Sequence, residues 1–599
     1  MIGKKLGILF LLFGFFLRAY LAITTSIDFF DIGLLYDAFW LLAVIGFITL
    51  IPNRHSQRLI TVLVFGFFTV ITIVNQMYYE YFKTLVTKNN IQGFLFVSAD
   101  TLTEEYALKI PLSAFGLIII FSVLIIFLYR SSLKSSFSKN TLIVSILSLT
   151  LITVPIIRFN YVKFENNLDY FASDAYLFQS FEDFIQLSNR FGYFVYHTID
   201  ILNLSSAVAI EEIHDLTQTF LDAHSARKPN DTSNLFARSN LVIITVETLD
   251  TRFIHPDLTP NLYRLMNEGY QFPNFYVPTY FQGATCNTEF MALTSLYAIN
   301  SNPKINNVCT SYATHNYPYA LPNQLKNIGY KTTYFHSGEA TFYNRDQLMP
   351  NLGFDYVYFN NSLDNMINPR HDTDLAVLIE TFMDYSTPFY MHVLTYAMHG
   401  AYNQDDYDQY QPILELVYPE LDKHDEIAVY YKKLIDFDNF LALLIAQLKE
   451  NNVFDETLIL IHSDHYPYMM NNQTLSTYLG VPVNDIDIYK QNLIMYHPSM
   501  QPNVFTDIWS TIDLTPTLLN LLHEEANFDY FLGTDYFTST YKTVLFHNHI
   551  MTDGNIIISR TTPTKNTQLE EAQLKSLIAY ELTKAWLESG NYWTFSNNP

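Results

Sequence analysis

The stretch LVIITVETLD, residues 241–250, opens with an apolar, largely β-branched run that ends at Glu247. A short apolar run bounded by polar residues is typical of a buried β-strand. The segment TPNLYRLMNEG, residues 259–269, then shows apolar residues at helical spacing, a Thr-Pro start and a Gly stop. These are the signals of an amphipathic helix. The pair predicts the start of an α/β domain.

The same alternation continues along the chain. Further strands are predicted at residues 331–337, 389–396, 457–464 and 543–550. Helices are predicted between them at residues 320–329, 374–385 and 427–452. Strands that alternate with helices predict a mainly parallel sheet that is covered on both faces. In such sheets, ligands bind outside the carboxyl ends of the strands.

Polar side chains with metal-binding chemistry stand at three of these predicted strand ends. Glu247 follows the first strand, His399 lies shortly after another, and Asp464 and His465 follow a third. Two carboxylates and an imidazole at neighbouring strand ends are suited to a divalent cation. Each residue alone has an ordinary alternative, such as a solvated loop residue or a turn, so the prediction depends on their joint occurrence.

The segment GATCNTEF, residues 283–290, supplies Thr285. A hydroxyl held against a divalent cation is acidified and becomes a competent nucleophile. Gly283 and Ala284 leave room for a cation and a tetrahedral phosphoryl group beside it. The competing interpretation is that Thr285 caps the helix that follows. Glu289, four residues later, is interpreted either as a helix residue or as a residue that supports the ligands from outside, and not as a ligand itself.

The first 160 residues are overwhelmingly apolar and contain five runs of membrane-spanning length. The runs are Leu6–Ile23, Ile32–Ile51, Leu59–Asn75, Ile110–Leu128 and Leu142–Ile157. A cleaved signal peptide is the alternative for the first run, and buried core helices are the alternative for all of them. Lysines and arginines fall at every second loop (residues 4–5, 54–58 and 130–139), which predicts that these loops face the cytoplasm. Five spans then place the remainder of the chain outside the cell.

Other features leave alternatives open. Arg18 and Asp37 lie within predicted spans, where they either pair with each other or reach the membrane boundary separately. The two cysteines, Cys286 and Cys309, either form a disulfide or are ordinary small residues. The formal net charge of −24, from 34 basic and 58 acidic residues, argues against a nucleic-acid partner.

We expect four segments. They are a transmembrane domain of five helices (1–158), a juxtamembrane helical connector (159–235), an extracellular catalytic domain (236–560) and a C-terminal helix that packs on it (561–599).

Six motifs occur in the order seen in the lipoteichoic acid synthase family. They are VIITVETLD, LTPNLYRLMNEGYQFPNFY, GATCNTEFMALTSLY, FYNRDQLMPNLGFDYV, SDHYPY and IDLTPTLLNLL. The chain resembles this family over essentially its whole length. The family belongs to the sulfatase and alkaline phosphatase superfamily and has five membrane spans before an extracellular domain with a mainly parallel sheet. The resemblance therefore implies a cell-membrane protein of a Gram-positive type bacterium.

The resemblance also implies a reaction. Glu247, Thr285, Asp464 and His465 would bind one divalent cation, expected to be Mn²⁺, with Mg²⁺ and Zn²⁺ left open. Thr285 would attack phosphatidylglycerol, release diacylglycerol and carry glycerophosphate as a covalent intermediate. A glycolipid or the tip of a growing lipoteichoic acid polymer would then accept the glycerophosphate.

By the same resemblance, His336, Tyr343, Arg345 and His399 would contact the substrate. The chain departs from the family at several of these motifs. Many relatives have Trp at position 343 and an acidic residue at position 338, where this chain has Gly338. The family often has Gly where Ser463 precedes the Asp-His pair. These departures put recognition of the glycerol head group in question.

The residues also bear on four other functions. Sulfate ester hydrolysis is disfavoured because TCNTEF lacks the Pro and Arg of a formylglycine motif. A phosphoethanolamine transferase or phosphodiesterase of the same superfamily is the nearest enzymatic alternative. A non-catalytic membrane sensor or assembly protein is the alternative from another class. A transporter is disfavoured because the five spans show no inverted repeat and no polar site at the membrane midplane.

Overall fold

The structure is a computed structural model. It describes residues 2–88, 90–91, 110–130, 139–204, 230–279, 284–299, 307–363, 368, 370–385, 388–403, 406–483, 485–523, 528–538, 541–546, 549–559, 562 and 566–590. The predictions for Gly283 and for the loop lysine Lys134 lie outside these residues. The described residues divide into two compact units, one within 2–204 and one within 230–590.

The first unit is helical, and each of the five predicted apolar runs forms a helix. These are α1 (Ile2–Thr24), α2 (Gly33–Thr49), α3 (Arg54–Phe82), α4 (Leu112–Arg130) and α5 (Lys139–Phe159). Within the described residues, four of the five are long and apolar enough to cross a membrane, and α2 is an apolar helix of 17 residues. The chain is therefore a multi-pass membrane protein, as the sequence predicts.

Four short helices also belong to this unit. They are α6 (Leu168–Ala172), α7 (Asp174–Ser180), α8 (Phe184–Phe191) and α9 (Tyr193–Leu202). Their aromatic side chains join the core formed by the long helices. The ring of Phe194 stacks on Trp40 at 5.0 Å and meets Phe68 edge-on at 4.8 Å between centroids. Aromatic contacts of this kind bury a large apolar area.

A buried ion pair joins α1 to α2. Arg18 Nη1 donates to Asp37 Oδ2 at 2.7 Å, and both side chains are fully buried. Of the two alternatives left open by the sequence, direct pairing is therefore correct. The Asp37 carboxylate also accepts the backbone N–H groups of Tyr193 at 3.1 Å and Phe194 at 2.8 Å. These are the first residues of α9, whose N–H groups have no acceptor inside the helix. Asp37 therefore both balances Arg18 and caps α9.

The second unit is built on a large sheet. Its strands are β1 (Asn240–Val246), β2 (Tyr270–Tyr276), β3 (Lys331–His336), β4 (Tyr356–Tyr358), β5 (Phe389–Leu394), β6 (Thr457–Ser463), β7 (Lys490–Tyr496), β8 (Asn503–Val504) and β9 (Trp509–Ser510). The order in the sheet is β4-β3-β5-β1-β6-β7-β2-β8, with β9 paired to β2. A small antiparallel sheet contains β10 (Val544–Leu545), β11 (Met551–Thr552) and β12 (Ile557–Ile558).

The helices of this unit pack around the large sheet. They are α10 (Pro260–Glu268), α11 (Ala284–Thr294), α12 (Val308–Tyr312), α13 (Leu321–Asn327), α14 (Arg345–Leu352), α15 (Asp372–Phe382), α16 (Gln411–Val417), α17 (Glu426–Glu450), α18 (Asn472–Leu479), α19 (Leu514–Leu522) and α20 (Thr567–Ser589). The predicted helix at 259–269 is confirmed, with Pro260 in the first turn, where its missing N–H costs nothing. In α20, Tyr580 contacts the rings of Tyr297 and His549.

Strand β1 occupies the middle of the sheet, and all seven of its residues are buried. It pairs in parallel with β5 on one side and with β6 on the other. A parallel strand covered on both faces needs an apolar run, which explains the sequence of β1. The prediction of a mainly parallel sheet is confirmed. Strand β7 is an exception, because it runs antiparallel to both β6 and β2.

One strand prediction was assigned to the wrong sheet. Among the described residues of 543–550, Val544 and Leu545 form the strand, and it pairs with β11 in the small antiparallel sheet. Its short apolar run resembles that of a core strand, but periodicity alone does not reveal which partner a strand pairs with.

The Arg18–Asp37 pair generates a stability prediction. Asp37→Asn keeps the shape of the side chain but leaves the Arg18 charge buried without a counter-charge. Loss of one partner of a buried pair costs about 3–5 kcal/mol, so we expect a clearly lower unfolding temperature of the full-length protein in detergent. Asp31→Asn is the matched control, because its carboxylate is partly exposed and lies 3.6 Å from Arg190. Equal unfolding temperatures for the two variants would contradict the assignment.

Candidate metal centre and nucleophile

The sheet brings four strand ends to one edge. Strands β3, β5, β1 and β6 are consecutive in the sheet and mutually parallel, so their carboxyl ends lie side by side. His336 ends β3, Glu247 follows β1, and Asp464 follows β6. His399 lies five residues beyond the end of β5. The predicted strand-end residues therefore fall at the place where ligands bind in such sheets.

Glu247, Asp464 and His465 form a compact triad. Their ligand atoms all lie within 4.8 Å of one another, and all three residues are buried. His465 Nε2 is 3.1 Å from Asp464 Oδ2 and 3.5 Å from Glu247 Oε1. Two carboxylates and one imidazole at this spacing can converge on a single cation.

The state of the carboxylate oxygens supports a cation there. Glu247 Oε1 and Asp464 Oδ2 are buried, and neither accepts a hydrogen bond from any described residue. Burial, and then the charge of Asp464, raise the pKa of Glu247 well above its usual value. Buried carboxylates without partners are costly. A divalent cation would supply both the missing contacts and the missing positive charge, so these residues fit a metal site.

Hydrogen bonds to the backbone hold the atoms of Asp464 and His465 that point away from the centre of the triad. Asp464 Oδ1 accepts the backbone N–H of Thr248 at 2.7 Å and that of His465 at 2.8 Å. His465 Nδ1 lies 3.0 Å from the carbonyl oxygen of Tyr466. Because a carbonyl can only accept, Nδ1 carries the proton and Nε2 keeps its lone pair for a cation.

Thr285 lies directly against this triad. It is the second residue of α11, and its Oγ1 is 3.4 Å from Glu247 Oε2 and 3.3 Å from His465 Nε2. The structure thus brings together the four residues predicted to surround one cation. The first N–H groups of a helix lack intrahelical acceptors and favour negative charge, so the start of α11 also suits a phosphoryl group beside Thr285.

A disulfide joins the residue after Thr285 to α12. Cys286 and Cys309 are bonded, both are fully buried, and their Cα atoms are 6.3 Å apart. The alternative left open by the sequence is therefore resolved in favour of a disulfide. The bond ties the first turn of α11 to a second helix close to the triad.

The two predicted substrate histidines have similar environments. His336 Nδ1 lies 3.1 Å from the carbonyl oxygen of Leu394, and His399 Nδ1 lies 2.7 Å from that of Gly400. In both, Nδ1 is the donor, so Nε2 of the neutral ring is an acceptor. Burial, with the charge of Arg345, lowers the pKa of His336 to about 3, and burial lowers that of His399 to about 4. Both rings are therefore neutral at physiological pH.

The position of His336 explains a departure of the sequence from the family pattern. A Cβ atom added at Gly338 would lie 2.4 Å from His336 Nε2. No side chain fits at position 338 unless this imidazole moves. An acidic residue, which the resemblance to the family leads us to expect at this position, is therefore incompatible with the present position of His336.

Arg345 and Tyr343 lie in the segment after β3. Arg345 is the first residue of α14, its side chain is 2% exposed, and its guanidinium pairs with the buried carboxylate of Glu289 at 2.8 Å. The Arg345 guanidinium carbon is 5.3 Å from the centre of the Tyr343 ring. The positive φ of Tyr343, 57°, turns the chain sharply just before α14.

Sequence reasoning missed two residues beside the site. Lys433 of α17 donates from Nζ to the carbonyl oxygen of His399 at 2.5 Å and lies over the ring of Tyr402. The ring of Tyr396 stacks on His399 at 5.3 Å and lies 6.1 Å from that of His336. The signal for Lys433 was available, because a lysine at a buried position of a long apolar helix needs a polar partner.

The triad generates a binding prediction. Full-length protein stripped with chelator should bind one Mn²⁺ in a calorimetric titration, and Glu247→Gln should weaken binding by at least about 100-fold, because it removes a charged ligand. Glu450→Gln, an exposed carboxylate at the end of α17, is the control and should bind as the wild type does. Unchanged affinity in Glu247→Gln would rule out the triad as the metal site.

The disulfide generates a second prediction. A cross-link between residues 23 positions apart contributes about 3 kcal/mol by restricting the unfolded chain. We expect the double variant Cys286→Ala/Cys309→Ala to unfold at a lower temperature than the wild type, and denatured unreduced wild type to show no reactive thiol. Two thiols per chain in that titration would contradict the bond.

Comparison with known proteins finds one matching family model and several sequence relatives. Residues 239–524 match the model of the sulfatase family. A lipoteichoic acid synthase-like protein of Bacillus subtilis, YvgJ, is 24% identical over 409 residues, which is 64% of this chain and 63% of that protein. Lipoteichoic acid synthase of Staphylococcus aureus (strain USA300) is also 24% identical, over 64% of this chain and 61% of its own length. The matches thus span less than two thirds of these relatives.

Among solved structures, LtaP from Listeria monocytogenes, described as a lipoteichoic acid synthase, aligns with 65% of this chain and 99% of its own at 19% identity and a TM-score of 0.49. The phosphoglycerol transferase GacH from Streptococcus pyogenes aligns with 62% of this chain and 91% of its own at 14% identity and a TM-score of 0.40. Residues 239–524 thus form a sulfatase-family domain, and over 409 residues the chain is similar to lipoteichoic acid synthases.

Proposed function

We propose that this protein is a membrane-anchored, metal-dependent phosphoglycerol transferase. It moves glycerophosphate from phosphatidylglycerol to a glycolipid or lipoteichoic acid acceptor through a covalent intermediate on Thr285. The observation that carries the proposal is the Thr285 hydroxyl, 3.4 Å and 3.3 Å from two members of a buried carboxylate and imidazole triad. The sequence relatives, which are named as lipoteichoic acid synthases, support this choice of reaction.

The proposed metal site is formed by Glu247, Thr285, Asp464 and His465, with Mn²⁺ as the expected ion. A divalent cation held by these residues would lower the pKa of the threonine hydroxyl and would neutralise charge on the phosphoryl oxygens. The two negative charges of Glu247 and Asp464 would balance the two positive charges of one divalent cation. The backbone N–H groups at the start of α11 add further stabilisation for the charge on the phosphoryl group.

The reaction proceeds in two displacements. Thr285 Oγ1 forms a bond to phosphorus, the bond from phosphorus to the diacylglycerol oxygen breaks, and the proton lost by Thr285 balances the one gained by diacylglycerol. The acceptor hydroxyl then attacks the glycerophospho-threonine, and the threonine oxygen leaves and regains a proton. His336 and His399 are neutral rings whose Nε2 atoms are acceptors, which suits them to the hydroxyl groups of glycerol and the acceptor. Arg345 supplies positive charge for a phosphoryl oxygen.

The membrane helices suit a lipid substrate. Five spans with positive loops on one side place the second unit outside the cell. Phosphatidylglycerol carries its head group at the membrane surface, so a catalytic unit tethered to spans works on a substrate that diffuses in two dimensions. Release of diacylglycerol leaves a product that remains in the bilayer, whereas the transferred glycerophosphate is polar.

The test uses the full-length protein in vesicles that contain phosphatidylglycerol and Mn²⁺, with diacylglycerol followed by mass spectrometry. We expect Thr285→Ala to lower the rate by about 10³-fold or more, because no other group can form the intermediate. Thr381→Ala is the matched control: this threonine is exposed on α15, and its hydroxyl donates to the carbonyl oxygen of Val377 in its own helix.

The outcomes separate the alternatives. Diacylglycerol production that persists in Thr285→Ala would remove the covalent step. Product from phosphatidylethanolamine but not from phosphatidylglycerol would identify a phosphoethanolamine transferase. A wild type that binds Mn²⁺ but turns over neither lipid, with or without a glycolipid acceptor, would favour the non-catalytic sensor or assembly protein.

A further inference from the structure

Glu289 has no part in the reaction as described above, yet its carboxylate is fully buried beside the site. It lies one helical turn after Thr285 on α11. Its Oε2 accepts hydrogen bonds from Arg345 Nε at 3.1 Å and Arg345 Nη2 at 2.8 Å. Its Oε1 accepts one from the hydroxyl of Tyr334 at 2.7 Å. Both carboxylate oxygens are therefore engaged, in contrast to those of the metal triad.

These contacts hold one edge of the Arg345 guanidinium. The hydrogen bonds to Glu289 use Nε and Nη2, so the other terminal nitrogen, Nη1, lies on the edge of the guanidinium away from this carboxylate. Through its pair with Glu289, the guanidinium lies against α11, on which Thr285 stands one helical turn earlier.

The buried Glu289–Arg345 ion pair is not needed simply to hold α11 and α14 together. Taking a carboxylate and a guanidinium out of water is unfavourable, and apolar residues of similar size would pack as well or better. A guanidinium held on one edge in a fixed fork geometry, however, presents its other edge in a defined direction. The arrangement thus fixes direction and charge, which simple packing does not require.

We propose that Glu289 is a positioning residue that aims the Nη1 edge of Arg345 at the phosphoryl group beside Thr285. The proposal rests on the function proposed above. Glu289 and Thr285 are on the same helix, one turn apart. A single rigid element therefore fixes both the nucleophile and the carboxylate that holds the Arg345 guanidinium. Tyr334 of β3 fixes the second oxygen of Glu289 and thereby ties this alignment to the sheet.

The test measures phosphate binding separately from turnover. Inorganic phosphate is the probe, added to the Mn²⁺-loaded full-length protein, and its affinity is read from the rise in unfolding temperature and from inhibition of diacylglycerol release. Glu289→Gln keeps the shape of the side chain but removes its charge. We expect it to weaken phosphate binding about tenfold, the usual effect of losing a charge-assisted hydrogen bond, with Mn²⁺ affinity unchanged.

A double-mutant cycle separates positioning from simple stability. If Glu289 acts through Arg345, Glu289→Gln/Arg345→Met should bind phosphate no more weakly than Arg345→Met alone. Glu268→Gln is the matched control, since Glu268 forms an exposed pair with Arg264 at 3.4 Å. Its phosphate affinity should stay within about twofold of the wild type.

Two outcomes would overturn the proposal. One is unaltered phosphate affinity in Glu289→Gln. The other is a double variant whose loss of phosphate affinity equals the product of the losses in Glu289→Gln and Arg345→Met. If Glu289→Gln does not fold, Tyr334→Phe removes only the hydrogen bond to Oε1, and wild-type phosphate affinity in that variant would equally contradict the proposal. A wild type that binds phosphate but releases no diacylglycerol would refute the proposed function while leaving this test intact.

Discussion

The parallel pairing of β1 with β5 and β6 is the constraint on which the site depends. Two parallel ladders run along a fully buried strand and hold the carboxyl ends of three strands at one edge. Glu247 and Asp464 are 217 residues apart in the chain, yet they become neighbours because β1 and β6 are in register up to Val246 and Ser463. A slip of one residue would turn the side chains to the other face of the sheet.

The two buried acidic sites beside this edge are balanced in different ways. Glu289 receives three hydrogen bonds from Arg345 and Tyr334, so its charge is compensated within the protein. Glu247 and Asp464 each keep one buried oxygen without a donor among the described residues. This difference separates a carboxylate that holds another side chain from carboxylates that are suited to a cation. Desolvation raises the pKa of both Glu247 and Glu289, so the pKa alone would not distinguish them.

The membrane unit uses the same principle at a different place. Asp37 is buried among apolar helices, and its two oxygens are shared between Arg18 and the first N–H groups of α9. A charge at that position is tolerated because each oxygen of Asp37 accepts at least one hydrogen bond. Hydrophobic packing is not directional, whereas these hydrogen bonds specify which turn of α9 meets α2. The pair therefore specifies geometry more than it adds stability.

The sequence by itself determined the membrane helices, the α/β alternation and the residues at the strand ends. The length of apolar runs, their helical or strand periodicity, and the Gly and Pro residues at the ends of elements are local properties. They identified the helix at 259–269 and the strand before Glu247 correctly. The family motifs added His336, Tyr343 and Arg345 as candidates, whose roles stay predictions.

Only the tertiary structure decided which distant groups meet. It paired Arg18 with Asp37, joined Cys286 to Cys309, placed Glu289 on Arg345 and brought Lys433 to the carbonyl oxygen of His399. It also decided that β7 runs antiparallel to β6 and that Val544–Leu545 pair in a separate sheet. These facts depend on the relative placement of elements far apart in the chain. Local residue patterns carry no information about that placement, because the same short apolar run or single charge satisfies many different partners.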